Sequence, residues 1–115
     1  MSQSLSSISV TELQHRWQTQ GSLQIIDVRE DAELALARLS GDTVLHFPLS
    51  RYDVWQSTIL ASLDLARPVY VLCHHGMRSA QMAQWLVQQG VPQVINISGG
   101  IDAWAQQVDP SVGVY

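Results

Sequence analysis

With 115 residues, 46% of them hydrophobic, the chain is long enough to bury one core and too short for two, so a single domain over 1–115 is expected. A formal charge of −4, with six arginines and no lysine, excludes the clustered positive charge of a nucleic-acid footprint. No run reaches the roughly 20 apolar residues of a membrane span, and Met1-Ser2-Gln3-Ser4 lacks the basic and apolar regions of an export signal, so a cytoplasmic protein with no membrane partner is expected.

In chain order, Ser9 with Glu12 has the form of a capping box, and Val10, Leu13 and Trp17 repeat at helical spacing until Gly21, which predicts a helix after Ser9. Leu23 to Val28 is short and rich in β-branched residues and reads as a buried strand, with Asp27 and Arg29 at its carboxyl end. Asp31 to Leu36 suits a short helix, and Val44 to Phe47 a second strand halted by Pro48. Val69 to Leu72 is an apolar strand that leads into Cys73. Ser79 is expected to cap the next helix, with Ala80, Met82, Ala83, Leu86 and Val87 facing the core and Gln81, Gln84 and Gln88 facing water, up to Gly90. Val94 to Ile97 is another strand; Asn96-Ile97-Ser98 matches a glycosylation sequon but reads as coincidence without an export signal. Gly99-Gly100 makes a tight turn, a last helix starts at Ile101, and an extended tail follows Pro110. Trp55 is expected in the core or at its edge, and Tyr115 is left open between core packing and a docking surface.

Strands alternating with helices, several apolar throughout, predict an α/β fold with a central parallel sheet covered by helices on both faces. Ligands bind such sheets at the carboxyl edge of the strands, where Cys73 falls. Asp27 joins that edge if its strand lies beside the Cys73 strand; a structural role, bonding loop amides or pairing with Arg29, is expected for it.

Cys73 is the only cysteine, so no internal disulfide can form and its sulfur chemistry must be intermolecular. It sits where a strand turns into a helix, and the positive end of the helix dipole with its open N–H groups favours anions there. Cysteines in such places have pKa values of about 3.5–7.5, so a thiolate nucleophile is expected. A buried, inert cysteine is the bland alternative. Against it, the residues that follow, His74-His75-Gly76-Met77-Arg78, do not suit a packed interior. The His74-His75 pair invites a metal, but adjacent side chains are expected to diverge and no further ligand stands at zinc-like spacing, so no metal and no cofactor are expected. The two histidines are instead expected to line the loop rim or to be solvated.

Cys73-His74-His75-Gly76-Met77-Arg78-Ser79 resembles the active-site loop Cys-x-x-Gly-x-Arg-Ser of single-domain sulfurtransferases of the rhodanese family. Asp27-Val28-Arg29-Glu30 with Glu33, His46-Phe47-Pro48-Leu49 and Gly99-Gly100-Ile101-Asp102-Ala103-Trp104 resemble three further family motifs in the family's order. The segment Gly41 to Pro48, with its Asp42-Thr43 loop, is longer than the family usually has.

The resemblance implies a rhodanese-like fold. It further implies a ping-pong cycle in which Cys73 takes the outer sulfur of thiosulfate or a similar small-molecule donor and holds it as a persulfide. A thiol, cyanide or a protein thiol partner then removes that sulfur. The loop amides from His74 to Ser79 would stabilise the sulfur, and Arg78 would clamp the anionic donor. A non-catalytic persulfide carrier or interaction module is the alternative. A phosphatase or arsenate reductase on the same scaffold is disfavoured, because the loops of those enzymes carry one residue more than the four between Cys73 and Arg78.

Overall fold

The structure, a computed structural model, describes residues 6–39, 41 and 43–115; the opening Met1–Ser4 and Asp42 of the longer loop lie outside them. Five strands, β1 (Ser6–Ile8), β2 (Gln24–Asp27), β3 (Val44–His46), β4 (Val69–Leu72) and β5 (Val94–Ile97), form one sheet in the order β1-β5-β4-β2-β3. Every pairing is parallel. The helices are α1 (Val10–Gln20), α2 (Asp31–Leu36), α3 (Tyr52–Trp55), α4 (Met77–Gln88) and α5 (Gly100–Gln107). None of these is long and apolar enough to cross a membrane.

Because successive strand residues point to opposite faces, β2 and β4 divide their apolar side chains between two cores. Ile26 and Val71 face one side with Met82 and Leu86 of α4 and Trp55 of α3. Ile25 and Tyr70 face the other with Leu13 of α1 and Ile101 and Trp104 of α5. This double cover is why β2 and β4 are buried at every position and why β4 reads as an unbroken apolar run.

Local chemistry sets the boundaries. The Ser9 hydroxyl accepts the Glu12 N–H at 3.2 Å and starts α1, while the Glu12 carboxylate pairs with Arg16. The helix does not start from the expected cap at Ser79: α4 begins at Met77, because Gly76, at φ +106°, turns the chain three residues earlier than a Ser79 side-chain cap would. Ser79 therefore lies inside the helix, fully buried. Along α4, Ala80 and Val87 are only partly buried, while Met82, Ala83 and Leu86 are buried and Gln81, Gln84 and Gln88 exposed. The last helix starts one residue earlier than expected, at Gly100. The tail is not extended from Pro110, since Pro110–Val112 wind a 3-10 turn after Asp109. Four pieces carry too few residues for periodicity to find them: β1, α3, and the 3-10 turns at Leu49–Arg51 and Ile59–Ser62.

Candidate active site

Parallel pairing sets Asp27 of β2 opposite Leu72 of β4, so the carboxyl ends of these neighbouring strands deliver Asp27 and Cys73 to one edge of the sheet. Cys73 is 1% exposed and lies at the base of a cup of about 170 Å³, lined also by His74, His75, Met77 and Arg78. The Gly76 N–H donates to Cys73 Sγ at 3.0 Å. The thiol in turn donates to Ser79 Oγ at 3.2 Å.

The loop is held from below by the start of α5. Ile101 N–H donates to the Cys73 carbonyl at 2.9 Å and Asp102 N–H to the His74 carbonyl at 3.1 Å. Gly100 makes this approach possible, for a Cβ there would stand 2.4 Å from both carbonyl oxygens and the backbone has φ +61°. Asn96 of β5 holds it from the side: the Ser79 hydroxyl donates to Asn96 Oδ1 at 2.5 Å, and Asn96 Nδ2 donates to the Gly76 carbonyl at 3.1 Å. Cys73, Ser79, Asn96 and Gly76 thus close a buried ring of hydrogen bonds around the sulfur. Asn96 was invisible as a site residue, although a polar residue inside the apolar run Val94–Ile97 is a signal, since a buried amide needs partners.

Arg78, which lines the cup, is paired with Glu33 of α2. Its Nη1 and Nη2 donate to Glu33 Oε1 and Oε2, both at 2.6 Å. Glu33 Oε1 also accepts the Glu30 N–H, and Glu33 Oε2 accepts the Tyr115 hydroxyl at 2.8 Å. The Arg78 hydrogen bonds draw the Glu33 carboxyl from its ordinary 4.5 down to about 2, against the opposing effect of burial. By the same hydrogen bonds, the Arg78 pKa is raised above its ordinary value.

Arg29 is fully buried. Its Nε donates to Asp27 Oδ1 at 3.0 Å and its Nη2 to Asp27 Oδ2 at 2.8 Å, while Nη1 reaches the Tyr115 hydroxyl at 3.1 Å. Burial works against its charge, yet the bonds to Asp27 and Tyr115 raise its pKa all the same. Asp27 and Arg29 are therefore brought to the site as a pair beneath α2, one layer behind the cup.

Both histidines line the cup, but they depart from one expectation. Their side chains do not diverge: the rings stack with centroids 3.8 Å apart and 29° between planes, and Tyr115 stacks on the outer face of His74 at 3.8 Å and 9°. The fold also supplies the third donor that linear spacing did not, since side-chain atoms of His74, His75 and Asp102 lie within 4.8 Å of one another. His75 Nε2 is 3.8 Å from Asp102 Oδ2. Met77, 79% exposed, forms an apolar lip. Trp55 is buried as expected, donating its indole N–H to the Pro48 carbonyl at 2.8 Å. Tyr115 is partly buried: it packs at the edge of the second core and backs the His74 ring.

A family model described as a rhodanese-like domain matches residues 9–107. The Rhodanese-like/PpiC domain-containing protein 12, chloroplastic, of Arabidopsis thaliana is 41% identical over 111 residues, which are 94% of this chain and 36% of that protein. The chain thus spans about a third of the length of this relative. Among solved structures, a rhodanese-like domain protein from Staphylococcus aureus superposes with a TM-score of 0.74 at 28% identity, covering 87% of this chain and 91% of that one. An NAD-dependent persulfide reductase from A. fulgidus superposes with a TM-score of 0.65 at 25% identity, covering 87% of this chain and 16% of that one.

Proposed function

Since the chain belongs to the rhodanese-like domain family, we propose that it is a sulfurtransferase whose Cys73 carries a sulfane sulfur between a donor and a thiophilic acceptor. The observation that carries this reading is the environment of one atom: Cys73 Sγ at the floor of a small cup, with the Gly76 N–H on it at 3.0 Å and the Ser79 hydroxyl at 3.2 Å. The start of α4 adds the positive end of its dipole to the same place.

In the first half-reaction the Cys73 thiolate attacks the outer sulfur of thiosulfate or a similar donor. The Sγ–S bond forms as the donor's S–S bond breaks, and from thiosulfate the electron pair leaves with sulfite. The terminal sulfur of the resulting persulfide extends into the cup, where N–H donors and the helix dipole offset its charge. In the second half-reaction a thiol or cyanide takes that sulfur and restores Cys73. No net oxidant is needed. The persulfide reductase neighbour supports the reading, in that a protein with this domain is named for persulfide chemistry.

The test is the intact mass of reductant-free protein before and after thiosulfate or another sulfane donor, beside Cys73→Ser. A gain of about 32 Da, removed by cyanide and absent from the variant, is expected. No adduct from any sulfane donor would overturn the reading and leave a carrier-free interaction module or phosphate-ester turnover as the next tests.

A further inference from the structure

Arg78, which lines the cup, and Arg29, one layer behind it, are each already paired with a carboxylate. Arg78 is bound on both nitrogens by Glu33, and Arg29 on its inner edge by Asp27. Asp102 adds a third carboxylate beside His75. Two guanidinium groups thus stand with three carboxylates, in a protein of formal net charge −4. For a dianion such as thiosulfate the charge of Arg78 is offset by Glu33, which leaves the helix dipole and the backbone amides, of which that of Gly76 already serves the Cys73 sulfur, as the main attraction. Freeing Arg78 to meet it would leave Glu33 without its cation, its carboxylate half-buried against the Tyr115 hydroxyl. The lip of the cup, by contrast, offers the exposed thioether of Met77 and the faces of stacked rings, surfaces suited to an organic group.

We propose that Glu33 determines donor specificity: by holding Arg78 it turns the cup away from the thiosulfate dianion and toward persulfides carried on an organic thiol. This rests on the sulfur-transfer reading and narrows its donor class. The step balances without an added redox agent. The Cys73 thiolate attacks the terminal sulfur of R–S–SH, the Sγ–S bond forms, the donor's S–S bond breaks, and R–S⁻ departs with the electron pair. The proton stays on the transferred sulfur.

The experiment measures single-turnover loading of Cys73 by intact mass, with thiosulfate and with the persulfide of 2-mercaptoethanol, which carries at most one negative charge. In Glu33→Gln, thiosulfate loading is expected to rise about tenfold and loading from the organic persulfide to change less than about twofold. In the unmodified protein, thiosulfate loading is expected to quicken as salt is added, since screening weakens the repulsion between like charges; this readout needs no variant. Thiosulfate loading that slows with salt, or is unchanged or slower in folded Glu33→Gln while the organic persulfide still loads, overturns the donor assignment and leaves sulfur transfer standing. Failure of both donors to load the unmodified protein overturns sulfur transfer, and this inference with it.

Discussion

A single missing methyl group governs how closely two segments meet at the site. Gly100 lets the first turn of α5 donate to the carbonyls of Cys73 and His74, and a Cβ at 2.4 Å from both oxygens would force the two segments apart. Gly100→Ala is expected to cost about 3 kcal/mol, read as a fall of more than about 8 °C in Tm, from overpacking together with strain at a positive φ. Glu33 has a pH signature of its own. Its carboxyl is held near 2 in the folded chain against 4.5 ordinarily, so its stabilising effect is complete above about pH 4.5 and is lost as pH falls toward 2. Denaturant melts at pH 5 and pH 2.5 should show a loss on the order of 1–2 kcal/mol that is smaller in Glu33→Gln, the figure allowing for the partial exposure of Arg78.

At the level of the element, α4 brings its dipole to the sulfur and places Ser79 inside its first turn. With Cys73 as a thiol, the hydroxyl accepts from Sγ and donates to Asn96; facing a thiolate or persulfide, it can turn its proton to the sulfur. Ser79→Ala is therefore expected to lower kcat/KM about tenfold to a hundredfold with every donor while moving Tm by only a few degrees, a comparison that steady-state kinetics and a thermal melt settle together. What the sequence made legible follows the same scale. Strands β2, β4 and β5 and helix α1 announce themselves, because burial on both faces or on one stripe leaves a periodic record over several residues. The start of α4 misled, because serine is a good cap and the glycine that displaced it acts through backbone freedom, which leaves no periodic mark. The Cys73 loop could be read as one contiguous run. Asn96, Glu33, Asp102 and Tyr115 could not, since each reaches the site across the sheet edge from a different segment, and nothing local records which partners they meet there.

For the molecule as a whole, the sheet order sets β4 between β5 and β2, so the segments that follow all three strands converge on one edge, and the tail closes over them. Val112 accepts the Arg38 N–H at 3.1 Å, and Gly113 passes so close to Leu36 that a Cβ would stand 2.4 Å from its carbonyl. Tyr115 then stacks on His74 and joins Arg29 to Glu33 through its hydroxyl. Tyr115→Ala should cost about 1–2 kcal/mol and speed iodoacetamide alkylation of Cys73 at least threefold, a rate that mass spectrometry follows directly. Unchanged alkylation would mean that the ring does not shield the thiol.

This tail has a practical corollary at the bench. A group attached behind Tyr115, an affinity handle or a fluorescent reporter, begins its path beside His74 and brings its own charges to a place where three carboxylates already outnumber two guanidinium groups. A hexahistidine handle there would add imidazoles beside His74 and His75, and a donor preference measured on such a fusion would belong partly to the handle. Strand β1 lies at the sheet's edge with β5 between it and β4, so fusions ahead of β1 leave the chemistry to the chain itself.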